Sequence, residues 1–188
     1  HNWGPYFGTT ANDPVAAQYL DVLAVHAYEN DGATAGDPSP AKWRQVLSAA
    51  STMSIPVWQT ETSGYANNWN DIFTYGTGIY TALKYGHVAA WIYLNTNNRA
   101  DRADRSILSD GQTQHIFYMS KQYYRWIRPD AIMIDAISDD QDVFSLAFNH
   151  KANQTLTVVL MNNSTAARDV TLAGSGLPSF SAWRSSVS

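Results

Sequence analysis

Residues 55–94 read IPVWQTETSGYANNWNDIFTYGTGIYTALKYGHVAAWIYL. Ile55 to Thr60 is a short, largely apolar run and predicts a strand. Asn68 then opens a helix running to Tyr85, with Ile72, Gly76, Ile79, Tyr80 and Leu83 turned inward and Gly86 as the C-terminal cap. Val88 to Leu94 is an unbroken apolar run and predicts the next strand. Two strands without polar alternation, joined by a long helix, make the pattern of a parallel βαβ unit.

The same alternation extends upstream. Asp13-Pro14 pairs a helix-capping residue with a proline suited to the first helical position, predicting a short helix over Val15 to Leu20. Val22-Leu-Ala-Val-His-Ala-Tyr28 predicts a buried strand. After a loop of Gly, Thr, Asp and Pro, Ser39-Pro40 repeats the cap-and-proline signal, and Trp43, Val46, Leu47 and Ala50 fall on one helix face. Downstream, a long polar loop leads to a helix expected over Thr113 to Ile127. Residues 1–129 are therefore expected to form an α/β unit, either a doubly wound sheet or a stretch of (β/α) barrel. Neither a G-x-G-x-x-G nor a G-x-x-x-x-G-K-[ST] pattern follows any strand, so the nucleotide-binding version loses its main support. Residues 130–188 differ in character: short alternating segments at 131–137, 143–150, 155–162, 169–173 and 180–183 predict a small antiparallel β domain of about five strands.

Composition narrows the function. The chain has 188 residues, 45% of them hydrophobic, with seven Trp, eleven Tyr and six Phe, enough for one or two domains with a real core. Acids outnumber bases 16 to 12 and no Lys/Arg-rich block occurs, so nucleic acid is not an expected partner. The longest apolar run, Val88 to Leu94, falls well short of the roughly 18 residues of a membrane span. No charged-then-apolar leader opens the chain at His1, and a soluble protein or a mature piece of one is expected. The absence of Cys excludes a disulfide framework, a thiolate nucleophile and Cys-ligated metal sites. Only two of the 16 acids are Glu: Glu29 and Glu61.

In parallel β/α architectures chemistry sits at the carboxyl ends of the strands. Those ends read His26-Ala-Tyr28-Glu29, Trp58-Gln-Thr-Glu61-Thr-Ser and Trp91-Ile-Tyr93-Leu-Asn95. A side-chain period of two places His26 with Tyr28, Gln59 with Glu61, and Trp91 with Tyr93. An acid, an imidazole, a phenol and an indole are thus expected to converge at one end of the sheet.

On these residues the chain resembles the retaining glycoside hydrolases of the (β/α)8 clan A, and among them the family 30-like xylanases and glucanases. His26 and Tyr28 match the His-x-Tyr of that family's sixth strand, Glu61 in Trp58-Gln-Thr-Glu-Thr-Ser-Gly64 matches the nucleophile ending its seventh, and Trp91 matches the Trp flooring the sugar subsite on its eighth. Tyr118 to Pro129 resembles the last barrel helix running into the side β-sandwich. The resemblance implies the last three β/α units of a barrel followed by that sandwich, a polysaccharide substrate such as β-1,4-xylan or a β-glucan, a secreted location, and no cofactor or metal. It implies that Glu61 is the nucleophile, with Tyr28 holding its carboxylate ionised and His26 beside it, and that Trp91 and Tyr93 bind sugar, with Trp69 and Tyr65 at the rim. The family's acid/base Glu usually follows an Asn on the fourth strand, and no Asn-Glu dipeptide occurs here. Glu29, whose parity opposes that of His26 and Tyr28, reads as a loop acid and otherwise as a substitute proton donor. The alternative function is a non-catalytic sugar-binding partial barrel.

Other charged segments have plainer readings. The Arg99-Ala-Asp-Arg102-Ala-Asp-Arg105 loop reads as self-paired and solvated, and Asp139-Asp140-x-Asp142 as a turn. A whole barrel takes about 250 residues, so residues 1–129 hold about half of one. Three parallel strands alone would leave two edges and an apolar face open, so self-association or pairing with an N-terminal half-barrel is expected.

Overall fold

The computed structural model describes residues 3–28 and 39–186. They form a mixed α/β structure with three small three-stranded sheets in two compact units, His1–Phe117 and Tyr118–Ser188. The division lies inside a helix, twelve residues before the change of sequence character at Pro129.

The first unit contains α1 (Trp3–Ala11), β1 (Leu23–His26), α2 (Pro40–Ser51), β2 (Val57–Glu61), α3 (Trp69–Gly86) and β3 (Val88–Trp91). β1, β2 and β3 lie side by side in that order, and both pairings are parallel, as the βαβ pattern predicts. Leu23, Val25, Val57 and Val88 of the strands are buried with Trp43, Val46 and Ala50 of α2 and Ala82 of α3, which makes the sheet-to-helix layer the core. Asn68 caps α3 by accepting the Asp71 N–H at 3.0 Å, while the Asp71 carboxylate accepts the Ala66 N–H at 2.8 Å. Negative charge in the first turn also suits the helix dipole.

Several local expectations change. α1 carries no cap-and-proline signal and Gly8, Thr9 and Thr10 are poor helix formers; its Trp3 and Phe7 hold it by packing against the core. The helix expected over Val15 to Leu20 is a single 3-10 turn, Ala16–Tyr19, with Asp13 accepting the Val15 N–H at 2.8 Å. Ser39 makes no capping hydrogen bond, and Pro40 opens α2 without it. Gly86 is the last residue of α3 and not its cap; His87 takes the left-handed conformation at φ 47°. Glycine at 86 serves close packing instead, since a Cβ there would lie 2.7 Å from Cε3 of Trp43. The polar loop after β3 folds into β4 (Asn97–Asn98), a 3-10 segment Ala100–Arg105, β5 (Leu108–Ser109) and β6 (Gln112–Thr113). α4 spans His115–Tyr124, shorter than the expected 113–127 because Arg125 to Ile127 continue only as turns.

In the second unit, β7 (Ile132–Ile134), β8 (Val143–His150) and β9 (Thr155–Asn162) form an antiparallel sheet with β8 in the centre. The segments 169–173 and 180–183 are not strands: among the described residues nothing pairs with them, and a strand exists only where its backbone groups find a ladder partner. One three-stranded sheet therefore stands where five strands were expected. Asp140 and Asp142 receive the Arg168 guanidinium at 2.8 and 3.2 Å, and the Asp140 side chain accepts the Asp142 N–H, as the turn reading requires.

The Gly86 contact is testable. In Gly86→Ala, overpacking against Trp43 should cost about 1–3 kcal/mol, more than the roughly 1 kcal/mol gained in helix propensity. Urea unfolding should show a lower midpoint at an unchanged slope; a midpoint equal to or above the parent's would show that the Trp43 ring yields freely.

Candidate active site

Adjacent residues in a parallel pair point to the same face. Leu23 pairs with Val57, Ala24 with Trp58 and Val25 with Gln59, but His26 pairs with Glu61. One residue of β2 is passed over between Gln59 and Glu61. This bulge separates two side chains that simple alternation places together. Gln59 turns with Val25 into the core and is fully buried, whereas Glu61 turns with His26 onto the open face.

There the carboxylate meets its neighbours. The Tyr28 hydroxyl donates to Glu61 Oε1 at 2.9 Å, and lies 3.2 Å from Ser63 Oγ. His26 Nε2 lies 4.0 Å from the other oxygen, Oε2. The His26 and Tyr28 rings meet edge-on at 5.9 Å. Burial pushes the Tyr28 phenol upward, and its bond to Glu61 and that residue's charge push the same way; a hydrogen bond with Ser63 and the charge of Arg105 oppose them. A phenol held neutral remains a hydrogen-bond donor to the carboxylate at its side. Acid, imidazole and phenol converge as expected.

The indole does not join them. A second register slip, from Val57 paired with Val88 to Trp58 paired with Ala90, puts Gln59 opposite Trp91. Trp91 accordingly turns with the buried Gln59, its ring packing against Trp43 of α2 at 6.3 Å and Tyr75 of α3 at 6.1 Å. The indole on Glu61's face is Trp58, 40% exposed between Ala24 and Ala90. Its nearness to Glu61 in sequence was the available signal, but strict alternation assigned it to the other face. Tyr93 also belongs to the core: it is 6% exposed, lies 5.4 Å from the Tyr75 ring, and donates its hydroxyl to the Asp104 carbonyl at 2.8 Å. That carbonyl also accepts the Gly64 N–H, tying the loop after β3 to the end of β2. Tyr65 tilts against Tyr75 and Tyr93 at 5.3 and 6.4 Å. Burial pushes its phenol up to about 12, against the pull of a hydrogen bond with Thr62. Trp69 lies at the start of α3 against His115 and Phe73, at 4.9 and 6.1 Å. Glu29 lies outside the described residues, which leaves Glu61 as the one Glu among them.

Arg99 and Arg105 pair with Asp101 and Asp104 of their own loop at 3.5 and 3.9 Å. Among the described residues there is no group of three or more His, Asp or Glu placed to hold a metal ion, and no helix long and apolar enough to cross a membrane.

No family model and no curated protein matches the sequence. Solved structures do match in fold. A glycoside hydrolase family 30 endoxylanase from Clostridium papyrosolvens is similar at TM-score 0.70 and 20% identity, over 84% of this chain and 37% of that one. A family 30, subfamily 8 xylanase from Clostridium acetobutylicum matches at TM-score 0.66 and 20% identity, over 86% of this chain and 38% of that one. The catalytic domain of a family 30 xylanase C from Talaromyces cellulolyticus matches at 0.63 and 22%, over 83% and 35%. This chain thus has the fold of somewhat more than a third of those enzymes.

The phenols near the site make a pH-dependent prediction. Tyr65 and Tyr93 are held above their ordinary value near 10, chiefly by burial. The unfolded chain therefore loses these protons first, and stability should fall as pH rises above about 10, by up to about 1.4 kcal/mol per pH unit for each phenol. Denaturant titrations between pH 9 and 11 measure this. In the same range, carbon-13 tyrosine spectra should show the Tyr28 phenol titrating lower in Glu61→Gln than in the parent, because the carboxylate raises it.

Proposed function

We propose that this chain is the C-terminal part of a retaining endo-β-glycanase: the last three β/α units of a (β/α)8 barrel and part of a side β-sandwich. The Tyr28 hydroxyl bonded to Glu61 at 2.9 Å, with His26 alongside at the strand ends, carries this reading. A hydrogen-bonded carboxylate facing an open surface is what a nucleophile at an anomeric carbon requires. Likeness in fold to three xylanases supports xylan as the substrate class, with β-glucan next, and a location outside the cell, where such polymers occur.

A Glu61 oxygen forms a bond to the anomeric carbon as the glycosidic carbon–oxygen bond breaks. The leaving oxygen takes a proton from a second carboxylic acid. That group, now a carboxylate, removes a proton from water as the water oxygen displaces Glu61 from the sugar. No cofactor enters. Retaining enzymes place the two carboxyl groups about 5–5.5 Å apart, and we assign the second to a residue other than those described. Trp58 is better placed than Trp91 to meet a sugar ring, since its indole shares the face of Glu61. Trp69, at the start of α3, is the remaining rim candidate, whereas Tyr65 packs against Tyr75 and Tyr93.

A probe with a good leaving group tests the nucleophile alone, because it needs little protonation. With a dinitrophenyl 2-fluoro-xylobioside, Glu61 should displace dinitrophenolate and remain attached to the fluorosugar, adding one glycosyl unit to the peptide bearing Glu61 by mass spectrometry. Glu61→Gln should abolish the adduct. Failure of the parent chain to label would favour the non-catalytic sugar-binding reading.

The same reading bears on assembly. The sheet order leaves β1 at an edge, and a groove of about 480 Å³ runs along it, lined by Trp3, Phe7, Leu20, Val22 and His26 among others. Trp58, Ile92 and Leu94 are exposed as well. Further β/α units, from a second copy or from an N-terminal half-barrel, would cover these surfaces. Light scattering of the isolated chain should give a mass above the monomer's; a monodisperse monomer with one cooperative melt would overturn this.

A further inference from the structure

The bulge that aims Glu61 is held by two fully buried polar side chains, one on each side of it: Gln59 and Thr62. Gln59 Oε1 accepts the Ile92 N–H at 2.9 Å, and the Gln59 backbone carbonyl accepts the same N–H at 3.0 Å. The amide thus grips β3 just beyond its last ladder residue, Trp91. Thr62 holds both sides: its hydroxyl donates to the Ala27 carbonyl at 3.0 Å, and its own carbonyl accepts the Leu94 N–H at 2.9 Å. The Ala27 N–H, in turn, donates to the Glu61 carbonyl at 2.9 Å. Ala27 lies between His26 and Tyr28, so these bonds set where the imidazole and phenol stand relative to the carboxylate.

Gln59 is an expensive way to fill a core. Among the described residues its Nε2 is buried without a hydrogen-bond partner, and an orphaned buried donor costs about 1–3 kcal/mol. Leucine or methionine would occupy the space without that loss. What an apolar residue cannot supply is the second, side-chain acceptor that reinforces the backbone carbonyl's hold on the Ile92 N–H.

Resting on the nucleophile reading above, we infer that Gln59 and Thr62 are positioning residues for Glu61, clamping the β2 bulge to β3 and β1 so that the carboxylate meets Tyr28 at hydrogen-bonding distance. Gln59→Met keeps the volume, removes the side-chain acceptor for Ile92 while leaving the backbone one, and removes the orphaned donor. The melting temperature should therefore be equal to or above the parent's. The rate constant for labelling by dinitrophenyl 2-fluoro-xylobioside should fall by about 10- to 100-fold, the scale of a misplacement near 1 Å, at an unchanged inactivator binding constant. A residue that only filled the core would leave that rate constant where it was.

Thr62 provides the independent arm should Gln59→Met not fold. Thr62→Val removes the hydroxyl and should slow labelling, and Thr62→Ser should restore it. Labelling of Gln59→Met or Thr62→Val at the parent's rate constant would overturn the inference for that residue. A parent chain that does not label at Glu61 would instead overturn the nucleophile reading, and the positioning role with it.

Discussion

Side chains of neighbouring strands in a parallel sheet share a face only while the register holds, and here it slips once on each side of β2. Between β1 and β2 the slip comes just before Glu61; between β2 and β3 it comes just after Val57. Everything distinctive about the candidate site depends on these slips. Without the first, Glu61 would lie on the face of Gln59 and Val25, buried against the helices and far from Tyr28. Bulges near active sites commonly re-aim a side chain in this way.

Burial on one face is what makes the register binding. Leu23, Val25, Val57 and Val88 meet Trp43 and Ala82 in a layer with little room, as the contact of Trp43 with Gly86 illustrates. A one-residue slip of a whole strand would move its apolar set to the open side. A local slip confined to the strand ends keeps that layer intact and changes only the last residues, where chemistry is expected in a parallel β/α architecture. The aromatic cluster of Tyr65, Tyr75, Tyr93 and Trp91 lies beneath those ends and connects the site to α3. It also explains why so many aromatic residues occur near Glu61 while only some of them share its face.

The second unit follows a different logic. β8 and β9 are matched along their entire length, from Val143 opposite Asn162 to His150 opposite Thr155, and the sequence shows both strands with the bounds observed. Alternation and turn residues suffice there because a hairpin's partners are adjacent in the chain. Residues 169–183 carry similar β-forming side chains but have no such neighbour among the described residues, and β propensity reports fitness for a pleated surface, not the presence of one.

Local sequence determined the elements of the first unit: apolar runs for three strands, the Asn68 cap of α3 and the Ile72, Gly76 and Ile79 part of its inward face, though Tyr80 and Leu83 are only half-buried, the one-sided face of α2, and the parallel order that a strand–helix–strand chain imposes. It also identified His26, Tyr28 and Glu61 as residues at strand ends, because composition leaves few carboxylates with a glutamate's reach. Tertiary structure alone decided which of those side chains face one another. It joined Tyr28 to Glu61, sent Gln59, Trp91 and Tyr93 into the core, brought Trp58 to the open face, and gave Gly86 a packing role in place of a cap. The physical reason is that periodicity describes one strand at a time, whereas a bulge is a relation between two strands, set by which backbone groups pair across the gap and by what the helices beneath can accommodate.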